Sequence, residues 1–441
     1  MAGPAATPAL AVGVPGPVPT GEWSVEDPVA HGMDPAVLDQ ARAYAFTPGK
    51  NTQGVVVVQR GAIVGEWYAP GAGPSSWAAS WSMAKSVNSA LIGIALGEGK
   101  IPSVDVPMST YFPDWAGTPK GAITLRHVLH MESGLQWNED YDPTSLGSSD
   151  IIQMVALEAD QLAFAAGHDG VYPPGTRFNY SSGDSMLLGE VVHQATGMRP
   201  DEYARQKLFG PIGMDPVDWW RDAANHTLTY CCVDTPSRSF ARFGLLYLRG
   251  GTWNGTQVVP ASWVDASITD HAASYSGYGY QWWLNLQGAG AVPPFFSAQG
   301  HDGQLIYVIP SLDLVVVRNG TYVKSPCAPV ADPNLLYHYP PSGLVPGQGT
   351  TPPDSWDDVA FLEPIVASFG GGGGGSRSSR SASSVAREPA TALAGARSAL
   401  ADPAPCPASA STTTSAPTST TIPGAVPVTV AATAVTPAFT G

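Results

Sequence analysis

The chain has 441 residues, of which only 13 % are charged, and its 36 acidic against 21 basic side chains give a formal net charge of −15. With 44 % hydrophobic residues, 13 tryptophans and abundant Gly and Pro, the composition describes a loop-rich globular protein with a substantial core and an aromatic cleft. The acidic balance and the lack of any Lys/Arg cluster exclude nucleic acid and anionic membranes as partners, and no apolar run approaches the roughly 20 residues of a membrane helix.

In chain order, residues 1–29 are expected to form a flexible N-terminal segment, Pro/Ala/Gly-rich over its first twenty positions. Its start lacks the basic region and long apolar core of a signal peptide, so the protein is either cytosolic or begins upstream of Met1. The folded body, 30–369, opens on a helix with Asp34 as N-cap and Pro35 in the first position, running to about Tyr44. Gly54 to Gln59, a turn at Arg60-Gly61, and Ala62 to Tyr68 read as a hairpin. An apolar helix begins at Ser82 and stops near Gly99, and a second spans Thr124 to Ser133 with Gly134 after it.

Strand signals then fade until Tyr280 to Leu284, Phe295 to Ala298, Gln304 to Ile309 and Leu314 to Arg318; a helix over Asp357 to Ser368 closes the body. Strands at both ends of a helical middle predict an α+β fold: an antiparallel sheet flanked by helices, with a mostly helical region inserted over about 82–270. The cleft is expected where the two parts meet. From Gly370 the sequence turns to Gly, then Ser/Arg, Ala and Thr/Ser/Pro, a tail to Gly441 expected to be disordered. Such a tail tips the expected location slightly toward the envelope or exterior.

Four cysteines, Cys231, Cys232, Cys327 and Cys406, lack metal-ligand spacing, and no His-Glu-x-x-His occurs, so no metal or other cofactor is expected. Adjacent cysteines bridge only in a strained geometry. Pairing of Cys231 or Cys232 with Cys327 is therefore preferred for an oxidising compartment, with buried free thiols the alternative.

Chemistry concentrates at Ser82-Met83-Ala84-Lys85. Lys85 is the one charged residue between Trp81 and Gly97, and three residues along a helix place its amine beside the Ser82 hydroxyl. Burial favours a neutral amine able to accept a proton, while the helix N-terminus offers N–H groups to an oxyanion. Downstream, Tyr180 in Phe178-Asn179-Tyr180-Ser181-Ser182 supplies a phenol that a nearby ammonium is expected to draw toward phenolate. Further on, Gly300-His301-Asp302-Gly303-Gln304 precedes an apolar strand, where a backbone N–H is placed to complete an oxyanion hole.

The order and spacing of these three elements resemble the serine β-lactamase and penicillin-binding protein superfamily over about residues 30 to 369, most closely its class C-like esterases and 6-aminohexanoate-dimer hydrolases. The stretches Thr124 to Leu135, Leu208 to Met214 and Phe240 to Leu248 are similar to family text. The resemblance implies a β-lactamase/transpeptidase-like fold and an acyl-enzyme mechanism: Ser82 as nucleophile, Lys85 and Tyr180 handling its proton, His301-Asp302-Gly303 as third motif, and the N–H groups of Ser82 and Gln304 as oxyanion hole. It also assigns Tyr141 to amide binding on a loop; Trp137 and Ser182 are weaker substrate-binding candidates. Trp219-Trp220 and Trp282-Trp283 are candidates for an acyl pocket, with core packing expected for at least one of each pair.

Two departures bear on substrate. Ser182 stands where β-lactamases and D,D-peptidases usually carry Asn, and His301-Asp302 replaces the Lys-Thr pair that engages the carboxylate of β-lactams. The expectation is a cofactor-free serine hydrolase of small esters or linear amides, 6-aminohexanoate oligomers among them. The alternatives are a D,D-peptidase or β-lactamase and, in another class, a non-catalytic envelope binding protein of the same fold. The partner expected is a small-molecule substrate; the oligomeric state, a homodimer included, stays open.

Overall fold

A computed structural model of the chain describes residues 10, 12–141, 148–269, 272–321 and 356–370. The body starts with α1 (Pro35–Ala45), whose N-cap Asp34 accepts the Ala36 N–H. β1 (Thr52–Gln59) and β2 (Ala62–Tyr68) form the expected hairpin, turning at Arg60 and Gly61, both with positive φ, 50° and 79°. Position 61 has room for glycine alone, because a Cβ there would stand 2.2 Å from the Pro17 carbonyl oxygen.

β3 (Trp77–Ala79) leads into α2 (Met83–Gly97), and the inserted region continues through α3 (Leu125–Leu129), α4 (Asp150–Leu157), α5 (Gln161–Gly167), α6 (Ser182–Thr196), α7 (Pro200–Ala204) and α8 (Gly210–Ile212). Then come β4 (Asp218–Trp219), β5 (Val233–Pro236), α9 (Ser237–Leu248), β6 (Thr252–Trp253), β7 (Thr256–Gln257) and α10 (Ala261–Thr269). β8 (Trp283–Asn285), β9 (Phe295–Gly300), β10 (Gln304–Ile309), β11 (Leu314–Gly320) and α11 (Asp358–Ala367) complete the body.

Six strands form one antiparallel sheet in the order β2-β1-β11-β10-β9-β8. Its central strands are covered on both faces, which is why they read as unbroken apolar runs rather than alternating ones. Val56, Val58, Ile306, Val308, Val315 and Val317 join the core that holds α2, α6 and α9. Val55, Val57, Leu305, Tyr307, Leu314 and Val316 pack with Leu38 and Ala41 of α1 and Phe361, Leu362 and Ile365 of α11. No helix among the described residues is long and apolar enough to cross a membrane.

Several expectations change. Much of the N-terminal segment is held rather than loose: Gly13 and Val14 donate to the Leu248 carbonyl, Arg249 binds the Val14 and Pro17 carbonyls, and Ser24 and Glu26 pair with Ile63. Residues near Val25 thereby cover the β2 edge, leaving fewer strand groups unpaired. The helix expected to reach Ser133 ends at Leu129, with left-handed Met131 (φ 59°) just beyond its C-cap His130. The strand expected from Tyr280 starts only at Trp283, since Gln281 (φ 63°) breaks the extended backbone. Two small sheets, β3-β5-β4 and β6-β7, went unread because strands of two to four residues carry too little periodicity.

Cys231 and Cys232 bridge each other, contrary to the preferred long-range pairing, in a turn where Cys232 is left-handed (φ 72°). Cys327 and Cys406 lie outside the described residues, as does the tail from 371.

Candidate active site

The site lies where α2, the start of α6 and the end of β9 meet. Ser80 fixes the approach to α2: its N–H donates to the Val233 carbonyl and its hydroxyl accepts the Val233 N–H, extending the β3-β5 pairing. Trp81 then turns left-handed (φ 44°), and Ser82 becomes the N-cap of α2 without using its hydroxyl as a cap. That hydroxyl is left for Lys85, whose Nζ lies 3.0 Å from Ser82 Oγ.

Lys85 is 1 % exposed, and its other polar contacts are Ser182 Oγ at 3.0 Å and the Tyr230 carbonyl at 3.1 Å. Burial lowers its pKa from the ordinary lysine value to about 8, with the Glu139 carboxylate holding it up in part. About one amine in ten is then neutral at pH 7.

Tyr180 lies beside this pair, its ring 4.9 Å from Lys85 Nζ and stacked on Trp283 at 5.4 Å. The phenolate expectation is overturned. Burial first, and the Glu139 charge second, raise the phenol's pKa, and a hydrogen bond with Ser82 only partly offsets them. At neutral pH the phenol therefore keeps its proton. Ser181 caps α6 by accepting the Asp184 N–H, which presents Ser182, the first helical residue, to Lys85.

On the opposite side, β9 ends against the turn at Ser80 to Ser82. A Cβ on Gly300 would stand 2.3 Å from the Ser80 carbonyl oxygen and 3.1 Å from Ser82 N, so glycine allows the strand to touch the turn. The third motif follows as a single turn with Asp302 left-handed (φ 57°) and the Gln304 N–H donating to the His301 carbonyl. Arg318, fully buried beneath it, donates to the Asp302 and Gly303 carbonyls and to Thr52 Oγ. His301 Nδ1 lies 3.0 Å from Asp302 Oδ1, and its ring meets Trp81 at 5.7 Å and Tyr141 at 5.2 Å.

Tyr141, 39 % exposed, forms the rim, its hydroxyl 2.6 Å from Glu139 Oε1. Trp137 is buried behind Glu139, to which its indole N–H donates, and packs on Phe164 and His168. Trp219 and Trp220 are both core residues, with indole N–H groups satisfied by Leu228, Cys231 and Asp234; Trp282 packs on Phe243, Tyr247 and Phe296. Of the four tryptophans, Trp283 alone reaches Tyr180.

Three groups escaped the sequence reading. Glu139 sits under the site, Asp184 is 1 % exposed with its pKa raised by burial to about 7, and Arg318 anchors the third motif. A carboxylate inside the aromatic stretch Trp137 to Tyr141 was the available signal for Glu139. Nothing local marks Asp184 or Arg318. The described residues gather one further carboxylate and imidazole group, Asp160, Asp222 and His226, whose bonds cap α5 and the turn at His226.

The sheet with its helical insert brings a serine, a buried lysine and a phenol together at the mouth of the cleft, an arrangement that suits a serine hydrolase. The chain belongs to the beta-lactamase family, whose profile matches residues 42–336. It is 26 % identical over 287 residues to the 6-aminohexanoate-dimer hydrolase of Paenarthrobacter ureafaciens, covering 60 % of this chain and 72 % of that one. A D-aminopeptidase of Cereibacter sphaeroides is 24 % identical over 184 residues, 40 % of this chain but only 34 % of its own length. The fold is shared with a penicillin-binding protein homologue from Pyrococcus abyssi (TM-score 0.52, 17 % identity, 65 % of this chain and 73 % of that one). It is also shared with one from Caulobacter crescentus (TM-score 0.52, 16 % identity, 68 % and 93 %).

Proposed function

We propose that Ser82 is acylated by small carboxylic esters or linear amides, with 6-aminohexanoate-like amides as the amide class. The observation that carries this reading is the contact of 3.0 Å between Ser82 Oγ and a buried Lys85 amine whose pKa is lowered to about 8. As Ser82 Oγ attacks the carbonyl, its proton passes to neutral Lys85, and the oxyanion forms against the Ser82 and Gln304 N–H groups. The Gln304 N–H exchanges its His301 carbonyl for the oxyanion in that step. Tyr180 donates its proton to the leaving alcohol or amine, the Lys85 ammonium restores it, and water releases the acyl group by the reverse path.

The third motif supports esters and linear amides, in which any carboxylate lies remote from the scissile bond (five methylenes away in a 6-aminohexanoate amide), over β-lactams, in which it lies beside the ring nitrogen. Asp302 puts a carboxylate next to His301, and the Arg318 guanidinium is committed to backbone carbonyls and Thr52, so a substrate carboxylate would meet like charge there. The relative named for 6-aminohexanoate dimers supports the amide class.

The test is mass-spectrometric detection of a fluorophosphonate adduct on Ser82, followed by turnover of p-nitrophenyl acetate, a linear aminohexanoate amide and a chromogenic cephalosporin. An adduct absent from a Ser82→Ala variant, with ester or amide turnover above that of the cephalosporin, is the expected result. A folded wild-type protein without the adduct overturns the reading, and faster cephalosporin turnover replaces it with a β-lactamase or D,D-peptidase.

A further inference from the structure

The carboxylate of Glu139 is saturated. Its Oε2 accepts the Ser182 N–H at 2.9 Å and the Trp137 indole N–H; its Oε1 accepts the Ser182 hydroxyl at 2.6 Å and the Tyr141 hydroxyl at 2.6 Å. The Ser182 N–H belongs to the first turn of α6, where a carboxylate is favoured by the helix dipole. Four donors occupy the group, so it has no capacity left to bind a substrate ammonium, and its action must pass through the residues it holds.

What it holds has a direction. The single proton of the Ser182 hydroxyl goes to Glu139, so toward Lys85 the same oxygen only accepts. The Tyr230 carbonyl can only accept as well. Two of the three positions on the Lys85 nitrogen are thus taken by N–H bonds, and the third faces Ser82 Oγ. In the neutral amine that third position is the lone pair.

We infer that Glu139, acting through the Ser182 hydroxyl, is a positioning residue that aims the Lys85 lone pair at Ser82, and that its second bond ties the rim residue Tyr141 to the same device. This rests on the assignment of Ser82 and Lys85 as nucleophile and base. Without the carboxylate the Ser182 hydroxyl is free to rotate and donate toward Lys85, so the amine can turn its lone pair away from the nucleophile. The groups facing Lys85 from the surrounding elements are Glu139 on its loop, the Tyr180 and Tyr230 rings, and Ser182 on α6; Asp184 faces Glu139 and Ser133 instead. Of these, Glu139 is the one whose charge favours the ammonium.

The test compares wild type, Glu139→Gln, Ser182→Ala and Ser182→Thr in p-nitrophenyl acetate hydrolysis across pH 5 to 10, with the Ser82 adduct measured in each. Glu139→Gln is expected to lower kcat about 10- to 100-fold and to move the acidic limb of kcat/KM down by about one pH unit, because a lost negative charge makes the ammonium easier to deprotonate. Ser182→Ala is expected to lose about tenfold in kcat at unchanged KM, and Ser182→Thr, which keeps the hydroxyl, to recover it.

A folded Glu139→Gln protein whose acidic limb matches that of wild type overturns the inference, as does Ser182→Ala with wild-type kcat. Should Glu139→Gln not fold, Ser182→Ala decides, since its backbone bond to Glu139 remains. Failure of wild type to form the Ser82 adduct overturns the functional reading itself, a result distinct from adduct formation with unaltered variants.

Discussion

On the inner wall of the cleft, Lys85, Ser182 and Asp184 are each 1 % exposed and are fixed by hydrogen bonds of 2.6 to 3.1 Å, whereas the outer rim of Tyr141, His301 and Trp81 is partly exposed and adds ring contacts at 5.2 and 5.7 Å to one hydroxyl bond from Tyr141 to Glu139 and one contact of His301 with Asp302. Directional bonds in a low-dielectric interior hold atoms in place and displace pKa values, which proton transfer requires. Ring contacts have broad minima and can accommodate substrates of different shape. Changes on the inner wall should therefore act on kcat and its pH dependence, and changes on the rim on KM.

The sharpest way to break this comparison is Lys85→Met, which fills the same space without the amine. Acylation is expected to fall about 1000-fold or more, while stability rises by about 1 to 3 kcal/mol at pH 7, because a buried ammonium is no longer desolvated. Thermal melts beside fluorophosphonate labelling measure both, and a loss of stability would refute a strained catalytic lysine. In wild type, kcat/KM should rise about tenfold per pH unit below about 8 and flatten above it, since in the proposed mechanism the neutral amine accepts the Ser82 proton.

At the junction of the two walls, Gly300→Ala pushes a methyl group into the Ser80 carbonyl and toward Ser82 N. A loss of about 10- to 100-fold in kcat, with ester KM changed less than threefold, is expected from steady-state kinetics. On the rim, Tyr141→Phe removes one bond to Glu139 but leaves the ring against His301, and a rise of about two- to tenfold in KM for amide substrates should show in the same assays.

One further effect is on stability alone, with turnover unchanged. Asp184 has a folded pKa raised to about 7 against 3.8, so the folded chain binds the extra proton and its stability declines as pH rises from about 4 to 7. Its Oδ2 lacks a hydrogen-bond partner, while Oδ1 accepts from Ser133. Asp184→Asn keeps the latter and removes the buried charge, so a gain of about 2 kcal/mol at pH 8 that vanishes near pH 4 is expected in denaturant titrations.

Much of the fold was written locally. Asp34-Pro35 caps and opens the helix it was expected to start, the closing helix begins one residue after the expected Asp357, Arg60-Gly61 turns the first hairpin, and the valine runs became two-sided central strands. The Ser82-Lys85 contact was legible for the same reason: three residues along a helix set the reach from Lys85 to Ser82 whatever surrounds them. Legibility failed where a residue's state depends on distant neighbours. Tyr180 was expected to ionise beside Lys85, but burial and a carboxylate 41 positions earlier in the sequence hold it protonated. Of Trp219 and Trp220 at least one was expected in the core, and both are buried there. The N-terminal segment looked loose because its partners, Leu248, Arg249 and Ile63, lie far along the chain.

The sequence by itself determined the helix and strand periods, the caps, and the serine, lysine and phenol that the proposed chemistry uses, since each is a property of a few adjacent residues. Tertiary structure alone decided the protonation of Tyr180, the direction of the hydrogen bonds running from Lys85 through Ser182 to Glu139, and the seat of Arg318 under the third motif. The physical reason is that desolvation and hydrogen-bond polarity are set by everything packed around a group. For these residues those neighbours come from β1, β9, β10, α2, α6 and the loop before α4, segments that meet only once the chain has folded.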